Sequence, residues 1–560
     1  MDTQETAVIK GKAVVPGVAL GPIAVVAPRP AVPEAGAEVD EGQREAEYER
    51  FEQAANAVTE ALKERAKSLE GHAADVVNAT AGLASDRGWR RKVKKITKQG
   101  RNAIDATVTA TASFVEMFTA NGGVFAERVA DLEDVRDRVL AHLQGLPEPG
   151  LPVLTTPSIL WADDLAPADT ATLNPDLVIG IVTRRGGPTS HTAIIARQLN
   201  IPCVVATGPT DVEISSGETE GMISGAAGEL TVNPDEDAAK QAVHEWEQLA
   251  EKIANWEGPA QTKDGHRVQL LANVQDGPQA ASAASTAVEG VGLFRTELLF
   301  LSSTKEPSVN DQAAAYGRVL NAFPKGKVVV RTLDAGSDKP VPFVEAEEED
   351  NPALGVRGVR IAWDRQDILE RQLDAIAKAV GDNDRGEAPT WVMAPMVATA
   401  DEARWFAGMC HERGLTPGIM VEVPAVALCA REIMQEIDFV SIGTNDLTQY
   451  TMAADRLSSP LAHLNDPWQP AVLRLIKMVC EAGAETKTPV GVCGEAASDP
   501  LLACVLTGLG VNSLSVAAPS AAGVGAQVGD RTLEECQKMA AAAVAATSAV
   551  DAKKAAADAV

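Results

Sequence analysis

The residues best suited to chemistry stand in one short stretch, Gly186-Gly187-Pro188-Thr189-Ser190-His191-Thr192-Ala193-Ile194-Ile195-Ala196-Arg197. It follows an apolar run, Leu177-Val178-Ile179-Gly180-Ile181-Val182, that reads as a buried strand. Two glycines let the chain turn tightly and come close to a ligand. Ser190 or Thr189 is placed to cap a helix that carries Ala193 to Arg197. His191 then stands at a helix N-terminus, where free backbone N–H groups and the helix dipole favour an anion. An imidazole there is able to accept a phosphoryl group and have the added charge stabilised. An isolated histidine at such a point is more often a surface side chain that helps the cap, so the rest of the chain must decide.

A second set of chemical residues repeats along the C-terminal half. From residue 266 apolar runs recur, each followed by a helix-like stretch. They are Gln269-Leu-Leu-Ala-Asn-Val274, Gly290-Val-Gly-Leu-Phe-Arg295, Val328-Val-Val-Arg-Thr-Leu-Asp334, Trp391-Val-Met-Ala-Pro-Met396, Gly418-Ile-Met-Val-Glu-Val423, Phe439-Val-Ser-Ile-Gly-Thr-Asn445, Val490-Gly-Val-Cys-Gly-Glu495 and Asn512-Ser-Leu-Ser-Val516. Eight such units over about 250–280 residues predict a TIM (β/α)8 barrel. Barrel active sites lie at the C-terminal strand ends. The last residues of these runs are Arg295, Arg331, Glu422, Asn445 with Asp446, and Cys493, and nearby loops add Arg357 and Arg456. Arginine forks bind carboxylate and phosphate. Two carboxylates on neighbouring strands suit one Mg²⁺, which takes its remaining ligands from substrate and water. The set describes a pocket for a small, highly anionic, metal-chelating molecule. Singly, each has a plainer reading: an ion-paired arginine, a turn at Asn445-Asp446, or inert cysteine packing, as expected for Cys429, Cys480 and Cys504. Their joint placement argues for a site.

The elements that must position these residues differ along the chain. Residues 7–27 read as short strands and turns. Residues 38–147 turn helical, with Phe51, Ala54, Ala55, Val58 and Leu62 on one apolar face, and read as a small bundle. Strand-like runs return at Val153-Leu154, 177–182, 204–206, 222–223 and 230–232. This predicts one α/β domain of residues 1–37 and 148–233, carrying an all-α insertion at 38–147. A linker helix follows within 234–262, then a barrel domain at 263–540 and an Ala-rich tail at 541–560, helical and then frayed. The basic cluster Arg90-Arg91-Lys92-Val93-Lys94-Lys95-Ile96-Thr97-Lys98 reads as a solvated helix face, with a docking surface for a partner protein as the alternative.

Charge narrows the partners. Lys and Arg number 50 against 78 Asp and Glu, a net charge of −28, which argues against nucleic acid and an anionic membrane surface. An anionic substrate must therefore be held by local arginines and lysines. Seven scattered cysteines without a CxxC suggest a reducing compartment. No run has the layout of a secretory signal or membrane-spanning length, so a cytoplasmic location is expected.

Taken together the motifs resemble enzyme I of the phosphoenolpyruvate-dependent sugar phosphotransferase system, the phosphoenolpyruvate–protein phosphotransferase family. The histidine block carries the resemblance, with Gly290-Val-Gly-Leu-Phe-Arg-Thr-Glu297, Arg331-Thr-Leu-Asp334, Gly418-Ile-Met-Val-Glu-Val-Pro424, Phe439-Val-Ser-Ile-Gly-Thr-Asn-Asp-Leu-Thr-Gln-Tyr450 and Val492-Cys-Gly-Glu495. It covers nearly the whole chain, although the helical insertion matches in position more than in residues. The resemblance implies a swivelling phosphohistidine α/β domain, a helical insertion that docks the small carrier protein HPr, and a phosphoenolpyruvate-binding barrel that dimerises. It implies that His191 takes the phosphoryl group on Nε2 while Thr170 hydrogen-bonds the other ring nitrogen. Arg295, Arg331 and Arg456 would hold phosphate and carboxylate, with Arg357 and Lys339 nearby and the Asn445 region on the phosphate. Glu422 and Asp446 would hold Mg²⁺, and Cys493 would protonate the enolate carbon to give pyruvate. The phosphoryl group would then pass to a histidine of HPr, the first step of sugar uptake. Because His191 and the pocket belong to different domains, the α/β domain must swing, with the hinge near 235–262. Ser337, Val356 and Pro188 depart from the family pattern and bear on loop geometry, not on reaction class. A phosphoenolpyruvate synthase or pyruvate phosphate dikinase shares these motifs but needs an ATP-binding domain, and only about 150 mostly helical residues precede the main part of the histidine domain, without a Gly-rich nucleotide loop. A non-catalytic phosphoenolpyruvate sensor would carry a degenerate site, and this one is complete.

Overall fold

The computed structural model of the chain describes every residue except 1–5, 34–35, 37, 68–70, 122–127, 153, 166, 171–172, 188–189, 302, 337–340, 342, 344–348, 384, 457 and 462. The chain divides into two units, Met1–Leu249 and Ala250–Val560.

The first unit is built on an eight-stranded mixed sheet. Its strands are β1 (Ala7–Lys10), β2 (Lys12–Val15), β3 (Val18–Val25), β4 (Ser158–Ala162), β5 (Val178–Thr183), β6 (Cys203–Val205), β7 (Glu220–Ser224) and β8 (Glu229–Val232). The order is β1-β8-β7-β3-β4-β5-β6-β2, with β3 to β6 parallel and the flanks antiparallel. Strands from both sides of the helical segment thus share one sheet. Strand β4, Ser158-Ile-Leu-Trp-Ala162, is buried throughout and corrects the expected strand at Val153-Leu154. Leu154 lies in no strand, and Val153 is outside the described residues. Pro157 reads as a breaker in sequence, yet a proline just before a strand removes no ladder bond. One face of the sheet packs Leu160, Ile181 and Cys203 beneath the helix His191–Leu199, and the other packs Ile23, Ile159, Val182 and Ile223.

Between the parallel neighbours β3 and β4 the described residues form the helices Arg44–Lys67, Gly71–Ala84, Arg87–Lys98, Ala103–Asn121 and Val129–Gln144. Their core holds Phe51, Val58, Leu62, Trp89, Val93 and Val135, and the Phe51 ring meets Trp89 edge-on at 5.3 Å. Ala27 and Gly150, where the chain enters and leaves this segment, form a β-bridge with each other. The charged residues of the basic cluster lie on a solvated helix face, as expected, with Arg91, Lys95 and Lys98 exposed and Arg90 and Lys94 also in contact with the bundle. Arg90 donates to Asn56 Oδ1 at 2.7 Å and Thr59 Oγ1 at 3.2 Å, and Lys94 lies 4.4 Å from the centre of the Tyr48 ring. A charged helix, Glu236–Ala254, with only Ala239 buried, carries the chain across the division between the units.

The second unit is a closed barrel of eight parallel strands, β9 (Gln269–Val274), β10 (Gly290–Arg295), β11 (Lys327–Arg331), β12 (Thr390–Ala394), β13 (Thr416–Val421), β14 (Phe439–Ile442), β15 (Val490–Val492) and β16 (Ser513–Val516). Pairing of β16 with β9 closes the ring. Side chains alternate across each strand. On β11, Val328 and Val330 join the core shared with the outer helices, while Val329 faces inward with Leu293, Met393, Met420, Phe439 and Cys493. Several strands end sooner than their apolar runs. Asn445 and Asp446 therefore sit in the first turn of the helix Thr444–Met452, not on a strand. The tail is not frayed, since the helices Leu533–Ala545 and Ala549–Asp558 bury Ala540, Ala543, Ala549, Ala552 and Ala556 against the barrel's outer core. Alanines spaced on one face let these helices lie close. Cys429 is exposed, contrary to expectation, while Cys480 and Cys504 are buried.

Candidate active site

His191 opens the helix His191–Leu199. Ser190 is its cap, accepting from the Ala193 N–H at 3.3 Å, and Thr192 Oγ1 donates to Asp164 Oδ1 at 2.9 Å. Thr189 and Pro188 are outside the described residues. Gly186 takes φ +84°, a conformation that excludes most side chains, and nothing crowds Gly187. The imidazole is exposed, and its Nε2 shares a 2.9 Å hydrogen bond with Thr170 Oγ1. This corrects the expectation that Thr170 engages the other ring nitrogen. Thr170 ends the short helix Pro167–Thr170, on the Nε2 side of the ring. Next to it, Asp169 is buried against Arg65 at 3.2 Å and Arg138 at 3.3 Å, and Arg138 also pairs with Asp134 at 2.8 Å. The residue that precedes Thr170 is thus tied to the helical insertion.

At the C-terminal ends of the barrel strands lies a cavity of about 320 Å³. Arg295, Arg331, Glu422, Asn445, Asp446, Arg456 and Cys493 all line it. Arg331 is anchored by Glu297 and Asp334, both at 3.0 Å. Arg295, by contrast, has no ion-pair partner among the described residues. Arg357 does not line the cavity. Its guanidinium is fully buried and taken up by Asp334 at 3.1 and 3.3 Å and Asp446 at 3.1 and 3.4 Å, so it holds carboxylates in place and is not open to a ligand. Lys339 and Ser337 are outside the described residues, and Val356 is exposed. Asn445 Oδ1 accepts from the Glu495 N–H at 3.2 Å. Arg456 reaches Asp446 at 3.5 Å.

Glu422 is almost wholly buried. Its Oε2 accepts from the N–H of Met396, which holds an unusual φ of +61°, and a Cβ at Gly443 would stand 2.7 Å from its Oε1. Burial raises the Glu422 carboxyl to about 8, with the charges of Asp446 and Asp334 adding to the effect. The cavity lining sets three arginines against five carboxylates, Glu297, Asp334, Glu422, Asp446 and Glu495. Arg357 pairs with Asp334 and Asp446 from behind, and burial keeps Glu422 largely protonated near neutral pH, so positive and negative groups about balance, and a bound cation would favour a polyanion. Among the described residues no group of three His, Cys, Asp or Glu side chains forms a metal cage. Mg²⁺ needs none, because one or two carboxylates and the oxygens of a phosphate suffice. The donor set therefore fits Mg²⁺ on Glu422 and Asp446. Burial pushes the Cys493 thiol up to about 11, and its Sγ lies 3.6 Å from the Ile442 carbonyl, so it keeps its proton at neutral pH. Sequence reasoning missed the roles of Glu297 and Asp334. Both stand inside the quoted motifs, which was the available signal.

Comparison with known proteins agrees with this architecture. Residues 250–532 match the family model of the PEP-utilising enzyme PEP-binding domain, 154–228 that of the mobile domain, and 10–128 that of the N-terminal domain. Fold and site together define a phosphoenolpyruvate-utilising enzyme. The chain is 46% identical over 560 residues to the phosphoenolpyruvate-protein phosphotransferase of Streptomyces coelicolor, covering 98% of each. It is 36% identical to the protein of that name from Bacillus subtilis, covering 88% of this chain and 90% of that one. It is 39% identical over 474 residues to the multiphosphoryl transfer protein of Rhodobacter capsulatus, of which it covers 56%. The chain belongs to the phosphoenolpyruvate–protein phosphotransferase family. Among the described residues no helix is long and apolar enough to cross a membrane.

Proposed function

We propose that this chain takes the phosphoryl group of phosphoenolpyruvate onto Nε2 of its own His191 and passes it to a histidine of the carrier protein HPr, in the cytoplasm, as the first step of sugar uptake. The observation that carries this reading is the cavity at the barrel's C-terminal end, where Arg295, without an ion-pair partner among the described residues, the protonated Cys493 thiol and the carboxylates of Glu422 and Asp446 converge. Arg295 and Arg456, with Arg331 held by Glu297 and Asp334, bind the phosphate and carboxylate of the substrate. Glu422 and Asp446 would hold Mg²⁺, which when bound offsets charge on the phosphoryl oxygens. Arg357 fixes Asp334 and Asp446 in place from behind.

His191 separates from Thr170 to free the Nε2 lone pair. An N–P bond forms as the bond from phosphorus to the enol oxygen breaks. Cys493 gives its proton to the methylene carbon of the enolate, pyruvate forms, and the thiolate regains a proton from water. The free N–H groups at the start of the helix His191–Leu199 favour the added charge. The N–P bond then breaks as the HPr histidine takes the phosphoryl group. The helical insertion supplies the docking surface for HPr, the segment 234–262 the hinge, and the barrel the dimer contact.

The test is labelling with phosphoenolpyruvate and Mg²⁺, beside an ATP control, in the native protein and in His191→Ala. We expect an acid-labile phosphoryl group from phosphoenolpyruvate alone, absent in the variant and transferred to added HPr. Labelling by ATP would favour a dikinase. Binding of phosphoenolpyruvate without labelling would favour a sensor.

A further inference from the structure

The barrel encloses a second cavity, of about 220 Å³, at the amino-terminal starts of the strands. Lys327 at the start of β11, Trp391 on β12, Phe439 on β14 and Ser513 on β16 line it. Barrel interiors are usually filled by layers of branched side chains. Here Gly292 and Gly491 face the space, and a Cβ on either would stand 2.5 Å from Ser515 Oγ or 2.7 Å from Ser513 Oγ.

Lys327 is only 9% exposed, and among the described residues its ammonium has no carboxylate or other acceptor within hydrogen-bonding distance. It rests 4.4 Å from the centre of the Trp391 ring, which stacks on Phe439 at 4.5 Å. The carboxylate that acts on it, Glu289, is already engaged by Arg267 at 2.6 Å and the Leu270 N–H at 3.2 Å. Burial lowers the ammonium to about 8, so it is mostly charged at neutral pH. A buried charge is normally paired, and an aromatic face replaces a counter-ion only in part.

We propose that this cavity binds a small monocarboxylate with a flat apolar body, its carboxylate on Lys327 and its body against the Trp391–Phe439 pair. One lysine balances one negative charge, and the walls of Leu271, Val329 and Val440 offer nothing to a second. The hydroxyls of Ser441, Ser513 and Ser515 and the amide of Gln269 also line the cavity and offer neutral polar contacts. The volume equals that of about seven waters, which suits a molecule the size of benzoate and excludes a nucleotide. The site is separate from the one that binds phosphoenolpyruvate. Lys327 and Arg331 share one face of β11 but stand about 13 Å apart along the strand, with Val329 between them.

Competitive acetylation by trace acetic anhydride, read by peptide mass spectrometry, reports Lys327 separately in the full-length protein. We expect benzoate at about 10 mM to slow Lys327 labelling about fivefold or more, while other lysines are unaffected and phosphoenolpyruvate makes no difference. Calorimetric titration with benzoate should give one site that Lys327→Met abolishes and Lys327→Arg weakens. Lys327 left unprotected by benzoate, acetate and pyruvate alike would overturn the proposal. So would protection that phosphoenolpyruvate removes, since that places the carboxylate in the other cavity, or benzoate binding that survives in Lys327→Met. Should Lys327→Met not fold, labelling of the native chain decides alone.

Discussion

Burial acts on Cys493 and Lys327 in opposite senses, raising the thiol and lowering the ammonium, because in each case the neutral form is favoured. For Cys493 this preserves the proton that the proposed reaction spends. For Lys327 it ties stability to pH. Below about pH 8 both the folded and the unfolded lysine are charged, and the native state bears the full cost of burial. Between about 8 and 10.5 the unfolded lysine still holds its proton and the folded one has lost it, so stability rises with pH across that window, by about 3 kcal/mol in all. Lys327→Met should remove this rise and be the more stable protein at pH 7, as the difference between native and variant urea unfolding at pH 7 and pH 10 will register. At this scale the sequence disclosed most of the cavity at the strands' C-terminal ends, since Arg295, Arg331, Glu422 and Cys493 close or follow apolar runs. It did not disclose that the fork of Arg357 is already filled by Asp334 and Asp446, because a pairing acid reads like any surface acid. Nor does a sequence carry the ring orientation that brings Nε2 of His191 to Thr170.

The barrel strands were legible for a physical reason: a strand buried on both faces reads as an unbroken apolar run. Strand β4 is of the same kind, and it lies just past the expected run Val153-Leu154. The alanine tail was misjudged because small side chains look weak in sequence and become close contacts in a helix pair. The buried ion cluster between the helical insertion and the sheet unit was not legible at all, for Asp134, Arg138 and Asp169 are scattered along the chain. Burial raises the Asp134 carboxyl against the pull of Arg138, so the cluster is held by pairing and not by solvent. Arg138→Met should cost about 3–5 kcal/mol in urea unfolding, because it takes from the buried Asp134 its ion-pair partner, and adding Asp134→Leu should regain part of that loss.

Each unit buries its own apolar clusters, with the barrel core confined to residues after 250 and the sheet and bundle cores to residues before it. Calorimetry should therefore resolve two transitions. Phosphoenolpyruvate with Mg²⁺ should raise only the barrel's, because a ligand stabilises the unit that binds it. Within the first unit, the insertion enters and leaves at the bridged pair Ala27 and Gly150, between strands that already lie side by side. In terms of descent, such an entry point lets a sheet acquire a foreign bundle without rearranging a single strand. The Arg65 and Arg138 contacts to Asp169 work against the reverse: a lineage that discarded the bundle would lose two ion pairs to a buried acid one residue from the threonine that holds His191.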